Sequence, residues 1–184
     1  MRELRMLGML AGTVPWAFIA VSVLLSPWFN VYNNALSDLG NTSLNSSVAY
    51  IFDSGLIVTG LLAATFGLIL SFRKKDRRFL IWSVPLTIAS LDLSMIGAFN
   101  ESMGRIHDVV SIVFFVAIVI TMLLFGYASR SLSAPGLGVL SLVLGILSAV
   151  VWFAPWPWNG VALQETFTSA LMAFMLISIA QRLC

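Results

Sequence analysis

Residues 30–53 read NVYNNALSDLGNTSLNSSVAYIFD. The stretch lies between two long apolar runs and is the longest polar segment of the chain. It holds five Asn, five Ser or Thr and two Asp, with no Lys or Arg. Its last residue, Asp53, already falls inside the following apolar run. A carboxyl group at that depth in hydrocarbon is costly unless it is paired, protonated or hydrated, so it marks a candidate working position.

Outward from this segment the chain is mostly hydrocarbon. Hydrophobic residues make up 59% of the 184 positions and charged residues 10%, with a mean hydropathy of +0.97. That composition excludes a soluble globular domain and implies several membrane-spanning helices. The pattern predicts an all-α, polytopic membrane protein forming one domain over 1–184. Six transmembrane helices are expected, at about 7–28, 48–72, 79–99, 109–129, 137–153 and 165–179. Arg2 and Arg5 precede the first run, but that run is too long for the core of a signal peptide and no small-x-small cleavage site follows it. No internal repeat is evident, which counts against an inverted-repeat transporter.

The basic residues set an expected orientation. With six spans, Arg2, Arg5, Arg73, Lys74, Lys75, Arg77, Arg78, Arg130 and Arg182 fall on one side and only Arg105 on the other. The positive-inside rule then places both termini in the cytoplasm of a cell membrane. The RKKDRR run at 73–78 reads as a topogenic turn with some affinity for anionic lipid. Trp28, Tyr32, Trp152, Trp156 and Trp158 mark the opposite, outer boundary. Six of the eight acids gather in that outer half: Asp38, Asp53, Asp92, Glu101, Asp108 and Glu165.

Two of these acids are intramembrane. Asp53 lies roughly 8 Å below the outer end of its span and Asp92 roughly 10 Å, at 1.5 Å per residue. Similar depth on consecutive helices predicts that the two carboxyls face each other and share one outward site with His107. In that arrangement His107, Asp53 and Asp92 are the candidate catalytic groups. Ser37, Asp38, Glu101, Arg105, Ser111 and Glu165 are the candidate ligand-binding groups. On a helix His107 shares a face with Ser111, and Glu165 with Ser169. The plainer alternatives are that each buried acid is satisfied by its own Ser, Thr or backbone neighbour, and that Glu101, Arg105 and Asp108 form an ordinary helix-end ion-pair set. Asp38 has a plain alternative too, as the cap of a short helix near Tyr32–Leu39 that ends at Gly40. The segment 30–47 is expected to fold back over the mouth of the bundle.

One cysteine and one histidine leave no disulfide, no cysteine-based or multi-histidine metal site and no bis-histidine haem. No metal or other cofactor is expected, and no nucleic-acid partner. The expected partners are membrane lipids and a small amphiphilic ligand. Asn41, Asn45 and Asn100 each open an N-x-Ser/Thr glycosylation pattern on the outer side.

Several of these residues carry a resemblance. Asn34–Gly40 (NALSDLG) after the first span, a glycine-rich second span, and Gly97–Glu101 (GAFNE) with Arg105–Asp108 (RIHD) leading into a Phe-rich fourth span resemble a family of prokaryotic, largely archaeal, membrane proteins. That family is grouped as domain of unknown function number 998. The match spans nearly the whole chain. It implies six helices, with a distant similarity in layout to the eukaryotic Frag1/DRAM/Sfk1 membrane proteins, and it implies no established activity. It points to Ser37, Asp38, Glu101 and His107; where the family carries proline-glutamate, this chain has Asn100-Glu101. Three functions compete: a site for a small molecule or lipid headgroup, with hydrolase- or transferase-like chemistry at His107 or an acid; a non-catalytic subunit or scaffold; and a small proton- or ion-coupled carrier.

Overall fold

A computed structural model describes residues 2–74, 77–129 and 135–184. Lys75, Asp76 and Arg130, counted in the orientation argument, lie outside the described residues.

Six helices are long and apolar enough to cross a membrane, and the protein is a multi-pass membrane protein. They are α1 (Arg2–Leu25), α3 (Ala49–Lys74), α4 (Arg77–Ala98), α5 (Arg105–Ala128), α6 (Pro135–Phe153) and α7 (Ala162–Leu183). The short α2 (Thr42–Asn45) and 3-10 turns at Leu36–Gly40, Ser46–Val48 and Glu101–Met103 fill the loops at one end. This end is called the site end below; both termini lie at the other.

Local chemistry shifts two boundaries from those expected. The first span ends at Leu25 instead of reaching Trp28, because Pro27 disfavours helical geometry at Ser26 before it. The fourth begins at Arg105, a turn before the expected 109. Gly104 allows that start: its φ of 57° belongs to the left-handed region that side chains avoid. His107 therefore sits in the first turn of a helix.

Sequential helices pack side by side from α1 through α3, α4, α5 and α6 to α7, and α7 closes against α1. The bundle is thus a ring. Small residues let the backbones approach, as expected where lipid supplies no hydrophobic drive between helices. Gly60 of α3 rests on Ser90 and Ser94 of α4, Gly67 on Thr87, and Gly8 and Gly12 of α1 on α7 at Ala180 and Ala173. The ring is filled at the terminal end by Trp82, edge-on to Phe125 at 4.9 Å. At the site end it is filled by the loop itself: Leu36 and Leu39 are buried under the segment that carries them.

Candidate functional site

The segment 34–45 folds onto the ring because its polar side chains bond one another. Asp38 accepts hydrogen bonds from the Asn34 side chain (2.9 Å) and the Ala35 N–H (3.0 Å), which closes the turn. Asp38 is thus a turn-former and lines neither cavity described below. Asn45 is buried and accepts from Ser26 Oγ (2.9 Å) and Trp28 Nε1 (3.3 Å) while donating to the Leu39 carbonyl (2.9 Å). Gly160 and Ala162 donate to the Tyr32 and Asn34 carbonyls, tying the first site-end loop to the last. Nearby, Tyr32 meets Trp158 edge-on at 6.1 Å, and Trp156 stacks on Trp158 at 4.8 Å.

Asp53 stands behind this plug. It touches Gly40, where any Cβ would meet its carboxyl oxygen, and it accepts from Asn100 Nδ2 at 3.1 Å. It therefore clamps the 36–40 turn to the α4–α5 loop, one residue from Glu101.

Glu101 pairs with His107, Oε2 to Nε2 at 2.8 Å. The other ring nitrogen, Nδ1, lies 2.8 Å from the Phe99 carbonyl. Both partners only accept, so both ring nitrogens carry hydrogen and His107 is an imidazolium when Glu101 is ionised. The His107 hydrogen bond holds the Glu101 carboxyl below its ordinary value, and the nearby Ser37 hydroxyl acts the same way. Ser111 Oγ sits 3.1 Å from the same Nε2. Glu165, in the first turn of α7, accepts the Leu36 N–H at 2.5 Å and lies near enough to interact electrostatically with Glu101 and His107.

Two cavities meet at these residues. An inner chamber of about 100 Å³ lies inside the ring, enough for a few waters. A larger groove of about 720 Å³ runs between α5, α6 and α7. Ser37, Ser111, Phe115 and Glu165 line both and form a polar waist between them. Glu101, His107 and Asp108 ring the head of the groove, and Val116, Ile120, Ala149 and Phe153 wall its lower part.

Two expectations need correction. Asp92 does not face Asp53. It is two residues from both Ser90 and Ser94, which pack on α3, so at 100° per residue it points about 160° away from that helix. It is buried, with one carboxyl oxygen lacking a hydrogen-bond partner, and lines neither cavity. The structure therefore joins Asp53 to the His107 network through Asn100 and leaves Asp92 apart. Second, Glu101 pairs with His107 in place of Arg105, because the 3-10 turn at Glu101–Met103 turns its side chain inward; Arg105 is exposed. Two of the three residues that open an N-x-Ser/Thr pattern, Asn45 and Asn100, commit their amide nitrogens to Leu39 and Asp53, so a glycan at either would break the site-end packing. The residues missed from sequence were Phe115, Trp152 and the α6 wall of the groove. Apart from the Trp152 indole N–H, which donates to Thr168 Oγ1 at 3.1 Å, they are apolar, and Phe115 meets Trp152 ring to ring at 4.8 Å. Among the described residues, no three His, Cys, Asp or Glu side chains gather as metal ligands.

No curated protein and no solved structure matches the chain. A family model described as protein of unknown function (DUF998) matches residues 9–182, nearly the whole ring and its site-end loops. The chain belongs to that family.

Proposed function

We propose that the protein binds a membrane amphiphile, its head at the Glu101–His107–Ser111 cluster and its tail along the groove between α5, α6 and α7. One observation carries this reading: a groove of about 720 Å³ with a polar head and apolar walls, lying along membrane-spanning helices. From His107 to Ile120 it runs 13 residues of α5, about 20 Å at 1.5 Å per residue, the scale of a lipid tail. Its wall residues Ile112, Val116 and Ile120 are exposed on the bundle's flank, which gives a tail lateral entry from the bilayer.

The geometry favours binding over serine-type hydrolysis. A catalytic Ser-His-acid set needs the histidine to accept from serine on one nitrogen and donate to the carboxylate with the other. Here Ser111 and Glu101 share one nitrogen, and a backbone carbonyl holds the other. No ring nitrogen is free to act as a base. The site end is further proposed to face out of the cytoplasm, which the distribution of basic residues supports.

Val116→Trp fills the groove without touching its head. Native mass spectrometry of protein released from lipid nanodiscs is expected to show lipid retained by the wild type and at least tenfold less by the variant. Equal retention would remove the groove as the binding site.

A further inference from the structure

We infer that the groove selects amphiphiles whose head donates hydrogen bonds and carries no negative charge, such as a hydroxyl-bearing head, and rejects a phosphate head. This rests on the amphiphile-binding reading and adds the headgroup class. The lining of both cavities contains no Lys or Arg. The one cation, His107, has both ring nitrogens engaged, by Phe99 and Glu101. At the head of the groove the carboxylates of Glu101 and Asp108 outnumber that single imidazolium, before Glu165 is counted. A phosphate seated there would lose its hydration and find no free cation in the lining to replace it, since Arg105, exposed at the start of α5, is not among the lining residues.

Helix N-termini ordinarily attract anions, and both α5 and α7 start at this end. Each is already met by its own acid: Asp108 in the first turn of α5 and Glu165 in that of α7. What remains at the waist is rich in acceptors. Glu165 receives one backbone N–H, and the Ser37 and Ser111 hydroxyls can either give or accept. A second, independent feature lies in the inner chamber. Thr59 lines it, is 3% exposed, and its hydroxyl has no hydrogen-bond partner. A buried hydroxyl without a partner is costly, and a polar occupant of the chamber that reached Thr59 would relieve it. A small hydroxyl-bearing head passing the waist would supply one.

The test is retention from phosphatidylcholine nanodiscs doped equally with diacylglycerol, a monohexosyl diacylglycerol and phosphatidic acid, read by native mass spectrometry. The wild type is expected to retain the two hydroxyl-headed lipids at least tenfold over phosphatidic acid; preference for one over the other reports head size. Glu101→Gln removes a negative charge from the head of the groove and is expected to shift the ratio about tenfold toward phosphatidic acid. A purely structural role for Glu101 would lower all three together. Phosphatidic acid retained as well as the neutral lipids, with loss in Val116→Trp, would overturn the headgroup inference and leave the groove standing. No difference between wild type and Val116→Trp for any lipid would overturn both.

Discussion

Glu101 shows how one backbone turn reassigns a side chain. In the sequence it stands four residues before Arg105 and six before His107, and helical spacing favours Arg105. The 3-10 turn at Glu101–Met103 and the left-handed Gly104 break that spacing, so the carboxylate meets the imidazolium instead. The consequence for pH has a definite sign. His107 holds the folded-state Glu101 below its ordinary value of 4.5, so on acidification the unfolded chain takes up the proton first. The stabilisation is fully present above pH 4.5 and is lost as pH falls through the lower folded value. The difference in Tm between wild type and Glu101→Gln in detergent should therefore hold constant over the mildly acid range above that point, where His107 stays charged, and shrink as the pH falls below it. A difference that stays the same across the acid range would show that Glu101 is not held by His107.

At the scale of elements, the six spans were legible because each is a long apolar run bounded by charge or proline, and hydropathy alone finds such runs. The 34–45 plug was legible as a segment folded back over the bundle mouth, with a short helix ending at Gly40 as one reading, but not as a set of 3-10 turns. Its 3-10 turns come from side-chain bonds, Asn34 to Asp38 and Asn45 to Leu39, and no period in the sequence reports those. Asn45 is the residue on which the plug depends most, since it bonds the loop after α1, at Ser26 and Trp28, to the 36–40 turn. Asn45→Ala leaves the Ser26 hydroxyl and the Leu39 carbonyl without that partner in a buried place. A loss of about 1–3 kcal/mol is expected, with faster amide exchange over 36–48 and unchanged exchange in α4 and α5. Uniform acceleration across all the helices would mean that the plug is not a separate unit.

At the scale of the whole molecule, the sequence carried the spans but neither their vertical register nor their rotation. Gly97 of α4 packs on Asp53, which leaves Asp92 five residues deeper, about 7.5 Å at 1.5 Å per residue, and which way it faces depends on how α4 is turned. That turn is fixed by Gly60 and Gly67 seating on Ser90, Ser94 and Thr87, contacts that a hydropathy profile does not contain. Closure of α7 on α1 was equally invisible, because the two are the most distant helices in the chain. Orientation, by contrast, is a property of the charges alone. Among the described residues, seven of the eight basic ones lie at the terminal end, a bias that in short loops sets which way a multi-pass protein inserts. The site end carries only Arg105 against Asp38, Glu101 and Asp108 in its loops and first turns. If insertion follows this bias, the groove head opens away from the cytoplasm and draws its amphiphile from the outer leaflet. Leu44 is 55% exposed on the plug and accepts a probe without disturbing Asn45. In a Cys184→Ala background, Leu44→Cys in intact cells is expected to react with a membrane-impermeant maleimide added outside, whereas a cysteine placed at Arg2 reacts only after lysis. The reverse pattern would put the groove head in the cytoplasm and move its lipid supply to the inner leaflet.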